Sequence, residues 1–298
     1  MTMRAALFTL AVSIALSASA GAATDQWADA RTTWNVDQAP FKLFGNSYYV
    51  GTHGLSSVLI TSDKGHILID GDLPESVPLI RRHIEQLGFK LKDIKWIVNS
   101  HAHFDHAGGI AELQKLTGAK VAASPWAKAT LDSGHSDKQD PQFATILPMK
   151  PLIRKAQVLR DGEQLSVGSL RVTAHFTPGH TPGGTSWTWQ SCEGARCLNL
   201  VYADSLNAVS SDGFRFTGDA NYPSAGQDLR NSIRMVAALP CDILVSAHPE
   251  GSDLWARLEK RNAGDADGLI DTNACANYAA SAQQRLDARL EQEKTSAQ

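Results

Sequence analysis

The hexapeptide HAHFDH at residues 101–106 constrains this chain more than any other segment. It follows the apolar segment IKWIVNS, which predicts a buried strand, and precedes AGGIAELQKLTG, whose apolar spacing predicts a helix. Three histidines and one aspartate in such a turn would each need a separate buried partner if they were ordinary core residues. The segment therefore predicts an α/β fold with a metal site at the end of a strand.

The hexapeptide supplies only part of a zinc site. His101 and His103 are two apart in an extended turn, so their rings face one side, and Asp105 and His106 follow where the chain bends into the helix. Zinc takes four protein ligands, or three and a water molecule, so further ligands must come from other strand ends. His180 in FTPGHTPGGTSW and His248 in DILVSAHPE occupy such positions. We predict two adjacent three-residue sets: His101, His103 and His180, and Asp105, His106 and His248.

The remaining histidines lack this setting. We interpret them as structural or surface residues, with His66 on a hairpin surface and His83 on a helix surface. His53 and His135 are expected near the mouth of the site, and His175 has no assigned role.

The rest of the chain alternates predicted strands and helices without a linker. SSVLITSDKGHILIDGD has the pattern of a β-hairpin, SVPLIRRHIEQLGF that of a helix ending at Gly88, and Asp132 to Pro151 that of a long surface loop. A last helix is predicted over NYAASAQQRLDARLEQEK. We predict one α/β domain over residues 23–298, with two packed sheets and helices outside.

The N-terminal residues 1–22 have the pattern of a secretory signal peptide. A cationic MTMR precedes a short apolar run that ends in small residues, so cleavage is expected after Ala20 to Ala23. The mature chain would then be periplasmic or secreted and would not contact a membrane. A formal charge of −3 without a basic run argues against a nucleic-acid partner.

The four cysteines fit an oxidising compartment. They allow three pairings. Cys192 and Cys197 flank the turn-like EGAR, so a local bridge is one option, and Cys241 would then pair with Cys275.

HAHFDH, TPGHTPG and SAHP together resemble the metallo-β-lactamase superfamily, whose fold is an αβ/βα four-layer sandwich with two central mixed sheets. GLSSVLI, IVNSHAH, AHFTPGHTPGGTSWTW, YADSLN and LPCDILVSAHP resemble its subclass B3 over essentially the whole mature chain, from about Trp34. That subclass also joins a cysteine in PCD to one in the C-terminal helix, as Cys241 and Cys275 would.

The resemblance implies a function and a role for each site residue. It implies two zinc ions per chain, the first held by His101, His103 and His180 and the second by Asp105, His106 and His248. The sequence has no strong interface stripe, so we expect a monomer. A zinc-bound hydroxide would open the β-lactam amide of antibiotics, including carbapenems, and so confer resistance. Asp105 would assist proton transfer. Ser205 and Asn207 would bind the substrate carboxylate, although relatives often carry Ser or Thr where this chain has Asn207.

Two alternatives remain at this point. In thioesterase and nuclease relatives an aspartate bridges both metals. If Asp204 of YADSLN did so, the chain would be another di-zinc hydrolase acting on lactones, thioesters or phosphodiesters. The second alternative is a zinc-binding protein without hydrolytic activity.

Overall fold

The computed structural model of the chain describes residues 26–295. The predicted signal peptide therefore lies outside the described residues. The helices and strands of the described part are α1 (Ala28–Trp34), β1 (Phe41–Phe44), β2 (Ser47–Tyr49), β3 (Val58–Ile60), β4 (His66–Ile69), α2 (Val77–Gln86), β5 (Ile94–Val98), α3 (Phe104–Ala107), α4 (Ile110–Thr117), β6 (Lys120–Ala123), α5 (Pro125–Ser133), β7 (Gln157–Val158), β8 (Gln164–Val167), β9 (Leu170–Phe176), β10 (Thr185–Glu193), β11 (Arg196–Ala203), α6 (Ala225–Ala237), β12 (Ile243–Ser246), α7 (Leu254–Asn262) and α8 (Ala274–Thr295).

The strands form two mixed sheets. The first has the order β1-β2-β3-β4-β5-β6-β7, antiparallel from β1 to β4 and parallel from β4 to β7. The second has the order β12-β11-β10-β9-β8, in which only the β11–β12 pair is parallel. Parallel neighbours end at the same edge of a sheet, so the residues that follow them come close together.

The sheets pack face to face because their strands bury apolar residues on both sides. In β4, Ile67 and Ile69 face the second sheet whereas Leu68 faces the helices, as the two-residue strand repeat requires. Helices α2, α4 and α5 cover the first sheet, and α6 and α8 cover the second. The layer order is helices, sheet, sheet, helices, which confirms the predicted αβ/βα sandwich.

Both predicted disulfides are present. Cys192 faces Cys197 across the β10–β11 pair, and the two are bonded. Cys241, just before β12, is bonded to Cys275 in the first turn of α8. The second bond therefore ties the C-terminal helix to the sheet beneath it.

Two histidine predictions were wrong. His83 is 1% exposed, with Nδ1 2.9 Å from the Val50 carbonyl and Nε2 2.9 Å from Asp37, because this face of α2 packs on the chain beyond β2. His66 is also buried, against the ring of Phe89.

The predicted Asp132–Pro151 loop needs one correction and one addition. Helix α5 extends to Ser133, so the irregular segment begins later than predicted. The segment is also not merely a surface loop, because Asp140 and Gln142 are buried within it. Within residues 26–295, no helix combines the length and apolar character that a membrane crossing requires.

Candidate metal centre

The six predicted ligands come from three places along the chain that meet at one edge of the sandwich. HAHFDH follows β5 at its carboxyl end, and α3 begins within it. His180 lies in the turn between β9 and β10, and His248 follows β12. The turn before β10 is fixed by the Thr185 amide, which donates to the Ser100 carbonyl at 2.7 Å.

The structure brings the first set together. The ring centroid of His101 lies 4.7 Å from that of His103 and 4.7 Å from that of His180, and the last two are 5.1 Å apart. One nitrogen from each ring falls within 4.8 Å of the others. All three side chains are buried, so each polar nitrogen needs a partner inside the protein.

The second set lies directly beside the first. Asp105 Oδ2 is 3.2 Å from His106 Nε2 and 3.4 Å from His248 Nε2, and the two rings are 4.8 Å apart. The rings of His101 and His106 are 4.4 Å apart, which makes the two sets adjacent. The His248 side chain is 31% exposed, so this set opens to solvent.

Outer partners fix which nitrogen faces the cluster in four of the five rings, and His106 is the exception among the described residues. His101 Nδ1 donates to Asp204 Oδ1 at 2.7 Å, and His180 Nδ1 donates to the Asn207 carbonyl at 2.9 Å. His248 Nδ1 donates to the Gly54 carbonyl at 3.2 Å. Each of these three rings therefore directs its Nε2 lone pair inwards, the arrangement of metal-ligating histidines.

His103 is held in the opposite sense. Its Nε2 lies 3.0 Å from Asp140 Oδ2, which leaves Nδ1 to face the cluster. Burial opposes a charge on this ring, but the Asp140 carboxylate raises the pKa of His103 above its ordinary value. Asp140 thus keeps a proton on Nε2 and leaves Nδ1 as the acceptor nitrogen, which lies 3.4 Å from Gln142 Nε2.

The electrostatics favour neutral imidazoles elsewhere in the cluster. Burial, with the neighbouring His103, lowers the pKa of His180 to about 3, and burial lowers the pKa of His101 and of His106. Burial alone would raise the pKa of Asp105, yet His106 and His248 hold it well below its usual range. Neutral rings beside an ionised carboxylate are the protonation state that binds a metal ion.

The residues fit a bound metal ion. His101 Nε2 is buried and has no hydrogen-bond partner among residues 26–295, a costly state for an isolated protein group. A cation at the centre of the cluster would satisfy it. Imidazole nitrogens with a single carboxylate are a donor set typical of zinc.

Two buried carboxylates behind the cluster were not anticipated. Asp70 Oδ1 accepts the Ser100 amide at 2.6 Å, and its Oδ2 accepts the hydroxyls of Ser100 and Tyr202. Burial raises its pKa to about 7, and burial also raises that of Asp72 to about 8. The sequence signal was acidic residues directly after a fully apolar strand, in ILIDGD.

A cleft of about 370 Å³ leads away from His248. The predicted substrate residues Ser205 and Asn207 line it, together with Trp34 and Arg285. The ring of Trp34 lies 5.2 Å from that of His248, so Trp34 forms part of the wall. Sequence reasoning missed Arg285, an exposed residue in the middle of α8 with no local motif around it.

Solved structures resemble this chain over most of its length. The Rm3 metallo-β-lactamase is 56% identical with a TM-score of 0.88, and the match covers 89% of this chain and 98% of that one. MEM-A1, a subclass B3 metallo-β-lactamase from a soil metagenome library, is 51% identical with a TM-score of 0.87, covering 88% and 99%. SMB-1, in a structure bound to 2-mercaptoethanesulfonate, is 45% identical with a TM-score of 0.83, covering 87% and 99%.

Curated sequences give more distant matches. A hydroxyacylglutathione hydrolase of Maricaulis maris is 28% identical over 205 residues, which are 66% of each chain. Another, of Anaeromyxobacter dehalogenans, is 28% identical over 38% of its length. The chain thus spans less than two thirds of these curated relatives.

The profile of the metallo-beta-lactamase superfamily matches residues 50–248. This segment begins directly after β2 and ends at His248, so it contains all six side chains of the cluster. The sandwich fold, the neighbouring structures and this match agree with one another. The chain belongs to the metallo-β-lactamase superfamily, and its fold is that of a zinc-dependent hydrolase.

Proposed function

We propose that this chain is a di-zinc β-lactamase that hydrolyses the β-lactam amide of antibiotics, including carbapenems, and so confers resistance. The observation that carries the proposal is its 51–56% identity to two metallo-β-lactamases over 98–99% of their chains. Substrate contacts depend on the loops around a site, and similarity over the whole chain includes those loops.

In this proposal, His101, His103 and His180 hold one zinc ion, and Asp105, His106 and His248 hold the other. Asp204, Asp140 and the carbonyls of Asn207 and Gly54 keep the rings in the required tautomers. When bound, zinc supplies Lewis acidity and lowers the pKa of a water molecule, so that a nucleophile is available at neutral pH.

The protein residues position the substrate and move its protons. Ser205 and Asn207 orient the substrate carboxylate in the cleft, and Trp34 excludes water on one side. A carboxylate oxygen of Asp105 would accept the proton that the attacking water loses as its oxygen bonds to the lactam carbonyl carbon, and would pass that proton to the lactam nitrogen as the C–N bond breaks. His106 and His248 keep the pKa of Asp105 low, so this carboxylate starts the cycle ionised and would hold the proton only in passing.

The second candidate is a thioesterase, as in the hydroxyacylglutathione hydrolases that match this chain. It requires Asp204 to bridge the metals. Asp204 Oδ1 instead accepts from His101 Nδ1, on the side of the ring that faces away from the cluster, and Asp204 belongs to neither group of candidate ligands. This geometry favours the β-lactamase.

We also propose that residues 1–22 are a cleaved signal peptide. Residues 23–298 would then act as one monomeric domain in the periplasm or outside the cell. The sequence features that support this are the apolar leader and the cysteines, which are paired as an oxidising compartment would pair them.

A substrate panel separates the two candidates. The zinc-loaded mature chain is assayed with a penicillin, a cephalosporin, a carbapenem and a glutathione thioester at equal concentrations. We expect kcat/KM for at least one β-lactam to exceed that for the thioester by more than about a hundredfold, a ratio typical of a site built for its own substrate. Cleavage of the thioester alone would reject the proposal.

A further inference from the structure

One face of α8 lines the same cleft as His248. Tyr278 and Arg285 are seven residues apart, about two helical turns, so they lie on the same face. The Tyr278 hydroxyl donates to the Asp204 carbonyl at 2.8 Å and accepts the Leu206 amide at 3.2 Å. This face is therefore fixed against the segment that carries Ser205.

Arg285 is the only arginine or lysine among the described residues that line this cleft. It forms no ion pair with any carboxylate in residues 26–295, although Glu250 lines the same cleft. One turn further on, Arg289 pairs with Glu293 at 2.7 Å. The helix thus satisfies one arginine internally and leaves the charge of the other facing the cleft.

The side chains of Ser205 and Asn207, which line the same cleft, are uncharged and also lack partners among the described residues. Their side chains make no hydrogen bond to other described residues, and the Asn207 amide oxygen is buried without a partner. These two side chains offer hydrogen bonds to a carboxylate but no counter-charge. An arginine beside them would add the charge-assisted contact that carboxylate recognition favours.

We propose that Arg285 binds the carboxylate of the substrate, with Ser205 and Asn207 completing the anion site. The inference rests on the proposed β-lactamase function and deepens it. Arg285 then compensates for the weaker anchor that Asn207 provides, and it makes an anionic group beside the scissile amide a requirement for tight binding.

Paired substrates test this role. We compare benzylpenicillin with its uncharged methyl ester, using the wild-type chain and the Arg285→Ala and Arg285→Lys variants. Arg285→Ala should raise KM for the acid about tenfold while kcat and the ester kinetics stay within about twofold, and Arg285→Lys should recover much of the loss. Arg234→Ala is the control, since Arg234 is exposed on α6 and bonds only within its own helix.

A binding measurement separates this inference from the proposed function. Calorimetry of the zinc-loaded chain with 2-mercaptoethanesulfonate and with neutral 2-mercaptoethanol reports the preference for an anion without any hydrolysis. Arg285→Ala should reduce that preference about tenfold. If no β-lactam is hydrolysed but this reduction appears, the proposed β-lactamase function is wrong and the anion-binding role of Arg285 is supported. An unchanged preference, or equal losses on acid and ester, would overturn the role of Arg285.

Discussion

At the scale of single residues, the cluster depends on partners that hold four of its five histidine rings. Asp204 was singled out from the sequence as a possible metal-bridging residue, whereas the structure shows that it accepts from His101 Nδ1. Asp140 could not be anticipated, because it lies in a polar segment without periodicity and reaches His103 only through the tertiary fold. Ligand types and their spacing are local information, whereas the partner of a ligand is set by how distant segments pack.

Loss of Asp140 should weaken metal binding without removing a ligand. In Asp140→Ala, nothing holds the proton on His103 Nε2, so the ring is free to rotate or to change tautomer. We expect zinc affinity to fall about 10- to 100-fold, as for other outer partners of metal-binding histidines. Competition with a chromophoric chelator measures this. Asp137→Ala, in the same loop but without contact to His103, should retain wild-type affinity.

At the scale of elements, the helices and strands that could be predicted from the sequence are those that bury apolar side chains. Strand β5 and helix α2 carry clear apolar patterns because each packs against a core, and both were predicted. Helix α1 buries no residue, and both residues of β7 are exposed, so neither leaves an apolar pattern to detect. The Gly88 stop was predicted correctly, since its φ of +86° is one that glycine adopts without strain.

The end of α8 is held by a single buried carboxylate. Glu293 accepts hydrogen bonds from the amides of Phe216 and Thr217 and from Arg289. Burial raises the pKa of the Glu293 carboxyl, but Arg289 and these amides lower it by more. The pKa of Glu293 is therefore below its ordinary 4.5. A carboxyl with a lowered folded pKa stabilises the protein above its unfolded pKa, and the stabilisation is lost as the pH falls through the folded pKa.

Glu293→Gln should therefore lower the free energy of unfolding by about 2 kcal/mol at pH 7. The difference from the wild type should shrink as the pH falls from the ordinary 4.5 of the unfolded state through the lowered pKa of the folded carboxyl, where the wild type also loses this charge. Urea unfolding at several pH values measures both effects. Glu291→Gln, with an exposed side chain paired only to Lys294, should change stability little, and an equal loss in both variants would contradict this account.

At the scale of the whole molecule, the sandwich places two strand ends and one turn, which carry the candidate ligands, at a common edge. The sequence indicated which residues lie there, so the clustering of these six side chains and the fold class could be predicted together. The depth of the cleft and the position of Arg285 could not, because they depend on where α8 crosses the second sheet. The Cys241–Cys275 bond fixes that crossing at one point, but its geometry follows only from packing.

The central claim is that two zinc ions in this cluster make the chain a β-lactamase. The most direct measurement is carbapenem hydrolysis by the mature chain after complete chelation, as zinc is added back in known equivalents. The account predicts no hydrolysis without metal and activity that rises to a plateau by about two equivalents of zinc per chain. A folded chain that binds two equivalents and leaves carbapenem, cephalosporin and penicillin intact would contradict it.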